Sequence, residues 1–155
     1  MPVTLPNSYT NAPSRLADVT QTMLDLYNVV QQINGATGTG IGYATGVGAG
    51  GTVTQTAGAR TNGVTLNKLS GQITGDNTSL AANTSATFIV TNSFVGLNDT
   101  ISLSVQSGPT ANTSIVTVST VTAGTFSIRI SNISTSTADT GAPIINFNVI
   151  KGSAN

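Results

Sequence analysis

The chain has 155 residues, five basic and five acidic, so that only 6% are charged and the formal net charge is zero. Soluble domains usually carry about 25% charged residues, and without a basic field we expect no nucleic-acid partner. The sequence contains no Cys and no His, which excludes disulfides, thiol nucleophiles, imidazole bases and Cys/His zinc sites. So neutral a chain tends to self-associate, which suits a protein that functions within an assembly.

The N-terminal residues 1–13, MPVTLPNSYTNAP, show no apolar periodicity and carry Pro2, Pro6 and Pro13. Proline fixes φ and disfavours helix in the residue before it, so the sequence predicts an extended arm. One interpretation is a frayed terminus, and the other is a peptide that becomes ordered on another protein. The arm has neither a basic region nor an apolar run, and we expect no signal peptide, no membrane span and synthesis in the cytoplasm.

The next segment, residues 14–34, is predicted to be a helix with a narrow apolar seam. Asn11 or Ser14 can cap its start, and Asn34-Gly35 favours its end. The apolar positions alternate in steps of three and four, the spacing of a coiled-coil heptad. They are Leu16, Val19, Met23, Leu26, Val30 and Ile33, with Leu16, Met23 and Val30 at a and the others at d.

The residue types in this seam favour three or four strands over two, because β-branched side chains occupy two of the three d positions. We therefore predict a trimerising helix. The alternative is a helix that covers its own domain's core, but such helices usually show a wider apolar face. Fewer than three heptads are marginal in water, so the remainder of the chain must help to hold the copies together.

A glycine-rich joint, residues 35–51, follows the helix. Its end, Gly46 to Gly51, matches G-x-G-x-x-G. A dinucleotide site would need a preceding strand, a following helix and an acidic residue about 20 positions later, and none of these is predicted. We interpret the joint as a hinge or as closely packed backbone.

Residues 52–155 change to the two-residue alternation of strands with one buried face. The clearest cases are 101–106, 126–131 and 145–149. Turn-forming residues separate the segments, and Asn62-Gly63 is predicted to be a tight hairpin turn. About eight short strands predict an antiparallel β-sandwich or jelly-roll-like domain. The further candidate strands are Val53–Thr56, Val64–Asn67, Gln72–Thr74, Thr87–Thr91 and Ser114–Thr122.

The sequence offers no convincing catalytic, cofactor-binding or metal-binding residues, and we predict none. Asp76, Asp99 and Asp139 occupy turn-like contexts, where Asp bonds nearby backbone. A calcium site or a carboxylate pair is the alternative. Arg129 is predicted to project from a strand on the face opposite the core. Sequons such as Asn83-Thr84-Ser85 carry little weight without a secretory signal.

The block from Gly46 to Lys151 resembles a β-domain found in capsid decoration (cement) proteins and fibre-type virion proteins of tailed bacteriophages. This resemblance covers about two thirds of the chain. The short arm and single helix depart from the long shafts of fibres, which favours a compact capsid knob over a fibre tip. The matching pieces are Thr61–Lys68, Gly71–Thr74, Val90–Ser93, Ala123–Phe126 and Ile145–Gly152.

Together, the resemblance and the predicted trimer imply a homotrimeric decoration protein on the capsid exterior, with the major capsid protein as its partner. We expect the arm to make the capsid contact by adding to a sheet edge. The alternative is a head or tail fibre tip that binds a host receptor or surface glycan. An adhesin module and a glycan-cleaving enzyme are further rivals. The predicted contact residues are Pro2, Val3, Thr4, Leu5, Pro6 and Tyr9.

Overall fold

A computed structural model describes residues 20–26, 48–110 and 113–153. The chain divides into two compact units, Met1–Ala44 and Thr45–Asn155. In the first unit residues 20–26 are helical, and they lie inside the helix predicted for 14–34. The arm, most of the joint and the remainder of the predicted helix fall outside the described residues. Within the described ranges, no helix has both the length and the apolarity that a membrane crossing requires.

The second unit is a β-sandwich, which confirms the mainly β prediction. Its described residues form two four-stranded sheets with the orders β1-β3-β8-β5 and β2-β4-β7-β6. The strands are β1 (Thr52–Thr54), β2 (Val64–Thr65), β3 (Ser70–Thr74), β4 (Ser85–Thr91), β5 (Thr100–Ser107), β6 (Ser114–Thr122), β7 (Thr125–Asn132) and β8 (Ile144–Ile150).

The core lies between the sheets because apolar residues alternate with mostly polar residues along the longer strands. In β4, every second side chain is buried and the others are exposed. The rings of Phe126 and Phe147 meet across the core with their centroids 5.4 Å apart. The central strands supply the fully enclosed side chains, among them Ile73, Ile128 and Ile145, each 0% exposed.

The prediction that the sandwich is purely antiparallel is wrong. β1 pairs with β3 in parallel, and so does β2 with β4; the other strand pairs are antiparallel. The reason is that β1 to β4 alternate between the two sheets. Two successive strands of one sheet are therefore separated by a strand in the other, and they run in the same direction.

The predicted hairpin at Asn62-Gly63 is also wrong. β1 and β2, which flank this turn, belong to different sheets. A two-residue type I′ turn needs positive φ at both central residues, and neither Asn62 nor Gly63 has it. The two-residue hairpin among the described strands joins β6 to β7 through Ala123-Gly124, where Gly124 has φ 81°.

The first two strands are shorter than predicted because polar side chains at their ends are used in loops. Gln55 follows β1 and is buried, with its amide bonded to the Arg60 and Asn62 carbonyls. Asn67 follows β2, and its side chain accepts a hydrogen bond from the Ser93 N–H. The later strands agree with their predicted ranges to within two residues, and Ser114–Thr122 agrees at both ends.

Candidate functional site

The helical segment 20–26 contains the two predicted seam residues that the structure describes. Met23 is 67% exposed and Leu26 is 64% exposed. Residues three apart lie on one face of a helix, so these side chains form a continuous uncovered apolar surface. Gln21 donates a hydrogen bond to Asp25 one turn later, 2.8 Å away. The other four seam residues (Leu16, Val19, Val30 and Ile33) lie outside the described residues, as do all the predicted capsid-contact residues.

The β-sandwich has two chemically different ends. We call one the proximal end, where the described part of this unit begins at Gly48 and stops at Ser153; its loops are 48–51, 66–69, 92–99 and 123–124. The described residues of the opposite, distal end belong to loops 55–63, 75–84 and 133–143 and to residues 108–110 and 113. The longest strands have eight and nine residues, so about 25 Å separates the two ends at roughly 3.3 Å per residue.

The distal end is organised around the buried guanidinium of Arg60, which is only 3% exposed. Its Nε donates to the carbonyl of Thr78. Its Nη2 donates to the carbonyls of Asp139 and Gly141, at 3.0 and 2.8 Å. Nη1 lies 3.7 Å from Asp139 Oδ2 and has no hydrogen-bond partner among the described residues. One side chain therefore links three distal loops.

Asp139 is the acidic partner of this arginine and is completely buried. Its Oδ1 accepts from the N–H groups of Thr110 and Gly141, and its Oδ2 accepts from the Ser114 hydroxyl. Burial raises the pKa of Asp139, but these hydrogen bonds and the charge of Arg60 outweigh it and hold the pKa below its ordinary value. The carboxylate thus stays ionised and connects β6 to residues 108–110 and to loop 133–143.

Gln55 and Asp76 extend the network to the first distal loop. The Gln55 side chain accepts from the Asp76 N–H at 2.8 Å and donates to the Arg60 carbonyl at 3.1 Å. The Asp76 carboxylate accepts from the N–H groups of Thr78 and Gly58. The hydrogen bonds from Thr78 are the main reason that the pKa of Asp76 is lowered. All the distal loops are consequently connected through buried polar groups.

The third buried carboxylate, Asp99, stabilises the proximal end. It accepts from the Gly96 and Gly152 N–H groups and forms an ion pair with Lys151. Burial raises the pKa of Asp99, but the Lys151 ammonium and the two N–H donors outweigh it and leave the pKa lowered. Lys151 also donates to the Phe94 carbonyl at 2.9 Å. The end of β8 is thereby fastened to the β4–β5 loop.

Large apolar side chains are exposed next to this ion pair. Phe94 is 41% exposed, Leu97 67% and Ile150 53%. The Phe94 ring packs on Gly48, where an added Cβ would lie 3.0 Å from the ring. We call Phe94, Leu97 and Ile150 the proximal apolar patch.

The prediction that the three Asp side chains bond turn backbone is confirmed, but the sequence did not indicate their burial. Within the described residues, no three His, Cys, Asp or Glu side chains are grouped as a metal site would require. Each of these carboxylates accepts backbone N–H donors and has a lowered pKa, which favours an ionised anchor over a proton donor. Their contacts hold loops together.

The outer sheet faces are rich in hydroxyl and amide side chains, and among the described residues they carry one exposed guanidinium, that of Arg129. Arg129 lies on β7 between Ile128 and Ile130, which are buried, and its own side chain is exposed, as predicted. It donates to the Ser85 hydroxyl at 3.2 Å, and no acidic partner faces it among the described residues. Ile89 on the neighbouring β4 is an apolar exception, 54% exposed.

Sequence reasoning missed the buried polar residues Arg60 and Gln55 in addition to the burial of the acids. Arg60 and its partner Asp139 are 79 positions apart, so no local spacing could reveal the pair.

Comparison with protein-family models, curated proteins and solved structures finds no match to this chain.

Proposed function

We propose that this chain is a structural virion protein, a homotrimeric capsid decoration (cement) protein on the exterior of a tailed-phage head. In this function it bridges neighbouring subunits of the major capsid protein and stabilises the shell. Binding that is available only on the assembled shell stabilises that state by mass action. The proposal requires that the chain self-associates, has a rigid domain and carries a segment that binds the capsid.

The proposal is carried by two observations taken together. The sandwich is nearly uncharged and its loops are joined by buried hydrogen bonds and ion pairs, and the seam residues Met23 and Leu26 of the helix are exposed. Exposed apolar side chains at heptad spacing favour a partner helix. The resemblance of Gly46–Lys151 to phage β-domains supports the virion setting. A trimer also suits the threefold positions of an icosahedral lattice, because its own symmetry matches them.

The test uses the full chain and decoration-free heads of the phage whose genome encodes it. Light scattering coupled to size exclusion should give three chains per particle. The trimer should co-sediment with expanded heads and raise their melting temperature, and Arg129→Gln should behave like the unaltered protein. A monomer at micromolar concentration, or heads that melt unchanged with the protein in excess, would contradict the proposal.

The second candidate function is a fibre tip that binds a host receptor or glycan, and the distal end favours it. Its loops expose hydroxyl and amide side chains, including Thr56, Asn77 and Thr135, and the Arg60 network fixes the loops beneath them. Binding loops on a rigid scaffold are a common arrangement in recognition proteins. Saturable binding of the purified protein to host cells or glycans, lost when Asn77 is changed to a bulky residue, would favour this function.

A further inference from the structure

The two flanks of the β-sandwich are built very differently. We call the flank formed by β1 and β2 the short flank, because these strands have three and two residues. The opposite, long flank is formed by β5 and β6, edge strands of eight and nine residues. Very short edge strands are a usual protection against unwanted strand pairing. The long flank lacks that protection.

The long flank also leaves part of the core uncovered. Val105 on β5 lies in one row with Ile145 and Ile73. The two isoleucines are 0% exposed, whereas Val105 is 43% exposed although it belongs to the same inner row. The inner-facing side chains of β6 pack against the core and are likewise only partly buried; they are Val116, Val118 and Val121. On the short flank, Val64 is 7% exposed and Val53 is partly buried, so that flank has no inner side chain as exposed as Val105.

The chemistry of the long flank does not discourage association. β5 reads TISLSVQS and β6 reads SIVTVSTVT, with no charged residue and no proline in either strand. Proteins that keep such edges single usually place Lys or Pro there. Each strand does carry a register shift, between Val105 and Ser107 and between Val118 and Thr120. These irregularities disfavour a continuous intermolecular sheet, so the contact is expected to be made by side chains.

We propose that the long flank is the interface between the β-domains of neighbouring copies, with β5 of one copy packed against β6 of the next around the threefold axis. This rests on the proposed homotrimer and assigns its second interface. Two different edges on one surface form a heterologous contact, which closes into a ring under threefold rotation. The flank carries no charge and exposes Val105 among hydroxyl and amide side chains, so a partner that covers it must also be uncharged, and a second copy of the flank meets this requirement.

The trimerising helix would raise the effective concentration of the β-domains at this interface, because it makes their contact intramolecular. Copies joined through the seam hold their β-domains close together, so even a modest apolar contact adds to the association. Conversely, a coil of under three heptads needs such support. In one assembly, the contact through Val105 would support the short coil, and the coil would hold the copies close enough for that contact to form.

The first experiment compares Val105→Lys with Ser104→Lys in the full chain. Ser104 is the matched control because it is exposed on the outer face of the same strand. Val105→Lys should leave the β-sheet circular dichroism intact, since the site is already 43% exposed in the single chain. It should raise the concentration at which the trimer dissociates by about 100-fold, because three buried ammonium groups would lack partners. Ser104→Lys should change that concentration less than about 3-fold.

A second experiment uses the absence of native cysteine. Val105→Cys, treated with a short bis-maleimide, should give covalent dimers on a denaturing gel, because each chain then carries one thiol and the reagent joins two. Thr87→Cys should stay monomeric, because Thr87 is exposed on β4, two strands away from the long flank. The reagent should leave the unaltered protein uncross-linked.

The outcomes separate this inference from the proposed function. A trimer that is insensitive to Val105→Lys and does not cross-link at position 105 overturns the interface and leaves the decoration function standing. If Val105→Lys leaves the trimer unchanged but prevents capsid binding, the flank faces the capsid and the inference is wrong. A Val105-dependent trimer that binds no capsid supports the interface and contradicts the function. A monomeric unaltered protein contradicts both.

Discussion

At the scale of single residues, the Arg60–Asp139 pair determines the structure of the distal end. Both side chains are almost entirely buried, at 3% and 0% exposure. A buried charge that loses its partner is costly, whereas the intact pair contributes much less than its Coulomb energy suggests. The importance of the pair therefore lies in the specificity of the loop arrangement, and it becomes measurable when one partner is removed.

We predict that Asp139→Asn lowers the free energy of unfolding by about 3 kcal/mol or more, the usual consequence of leaving a buried charge unpaired. The amide has the same shape but carries no charge, and one of its two positions donates where the carboxylate accepted. Urea denaturation followed by circular dichroism measures the change. Arg129→Gln is the control, expected within about 0.5 kcal/mol because its site is exposed. A loss below about 1 kcal/mol for Asp139→Asn would refute the account of the network.

The lowered pKa values of Asp76, Asp99 and Asp139 predict a specific acid sensitivity. In the unfolded chain an Asp carboxyl titrates at about 3.9. Above that pH both states are ionised and the full stabilisation is present. As the pH falls below about 4, the unfolded state binds protons first and stability decreases through the lowered folded values.

Melting temperature measured from pH 8 to pH 2 checks this prediction. The curve should be nearly flat between about pH 8 and 5, since the sequence has no His to titrate there. It should fall steeply below about pH 4. Asp99→Asn should reduce both the stability at pH 7 and the steepness of the acid loss. A fall in melting temperature between pH 7 and 5 would show that other groups control the stability.

At the scale of elements, strands with strict alternation could be located from the sequence, and their neighbours could not. Phe126, Ile128 and Ile130 identify β7 without any knowledge of the remaining chain, because the period-two pattern is local. Pairing β1 with β3 depends on crossing between sheets, which no local pattern encodes. The Arg60–Asp139 pair was invisible for the same reason, since its partners are 79 positions apart.

The predicted seam is an element-scale feature that mutation can test. Leu26→Asp should weaken trimer formation and reduce the helical signal, because three unpaired carboxylates would enter an apolar seam at a cost of several kcal/mol in all. Leu24→Asp is the matched control: Leu24 is also exposed, at 49%, but it lies off the predicted seam. Light scattering and circular dichroism measure the mass and the helix content. If Leu26→Asp leaves mass and melting temperature unchanged, the helix packs by another face.

At the scale of the whole molecule, the two ends of the β-domain differ in what they connect to. Gly48 and Lys151 both belong to the proximal end, so the preceding segment is covalently attached there, while the distal loops lie about 25 Å away at 3.3 Å per residue.

The last prediction is that the arm makes the capsid contact. The arm is predicted to be extended, with the backbone groups of Val3, Thr4 and Leu5 available to pair with a sheet edge. In the proposed trimer, three arms would bind multivalently. The outer sheet faces offer few of the aromatic and Arg anchors that dominate most interfaces. Among the described residues of the outer faces, Arg129 is the exposed arginine.

Deletion of residues 2–12 should therefore abolish binding to decoration-free heads and leave the trimer mass and the β-sheet signal intact. Co-sedimentation measures the binding, and light scattering and circular dichroism establish that the truncated protein is otherwise unchanged. Leu97→Ser, which alters the proximal apolar patch at an exposed site (67%), is the matched comparison and should still decorate. If instead the truncated trimer binds at full occupancy and Leu97→Ser does not, the patch carries the contact and the arm has another role.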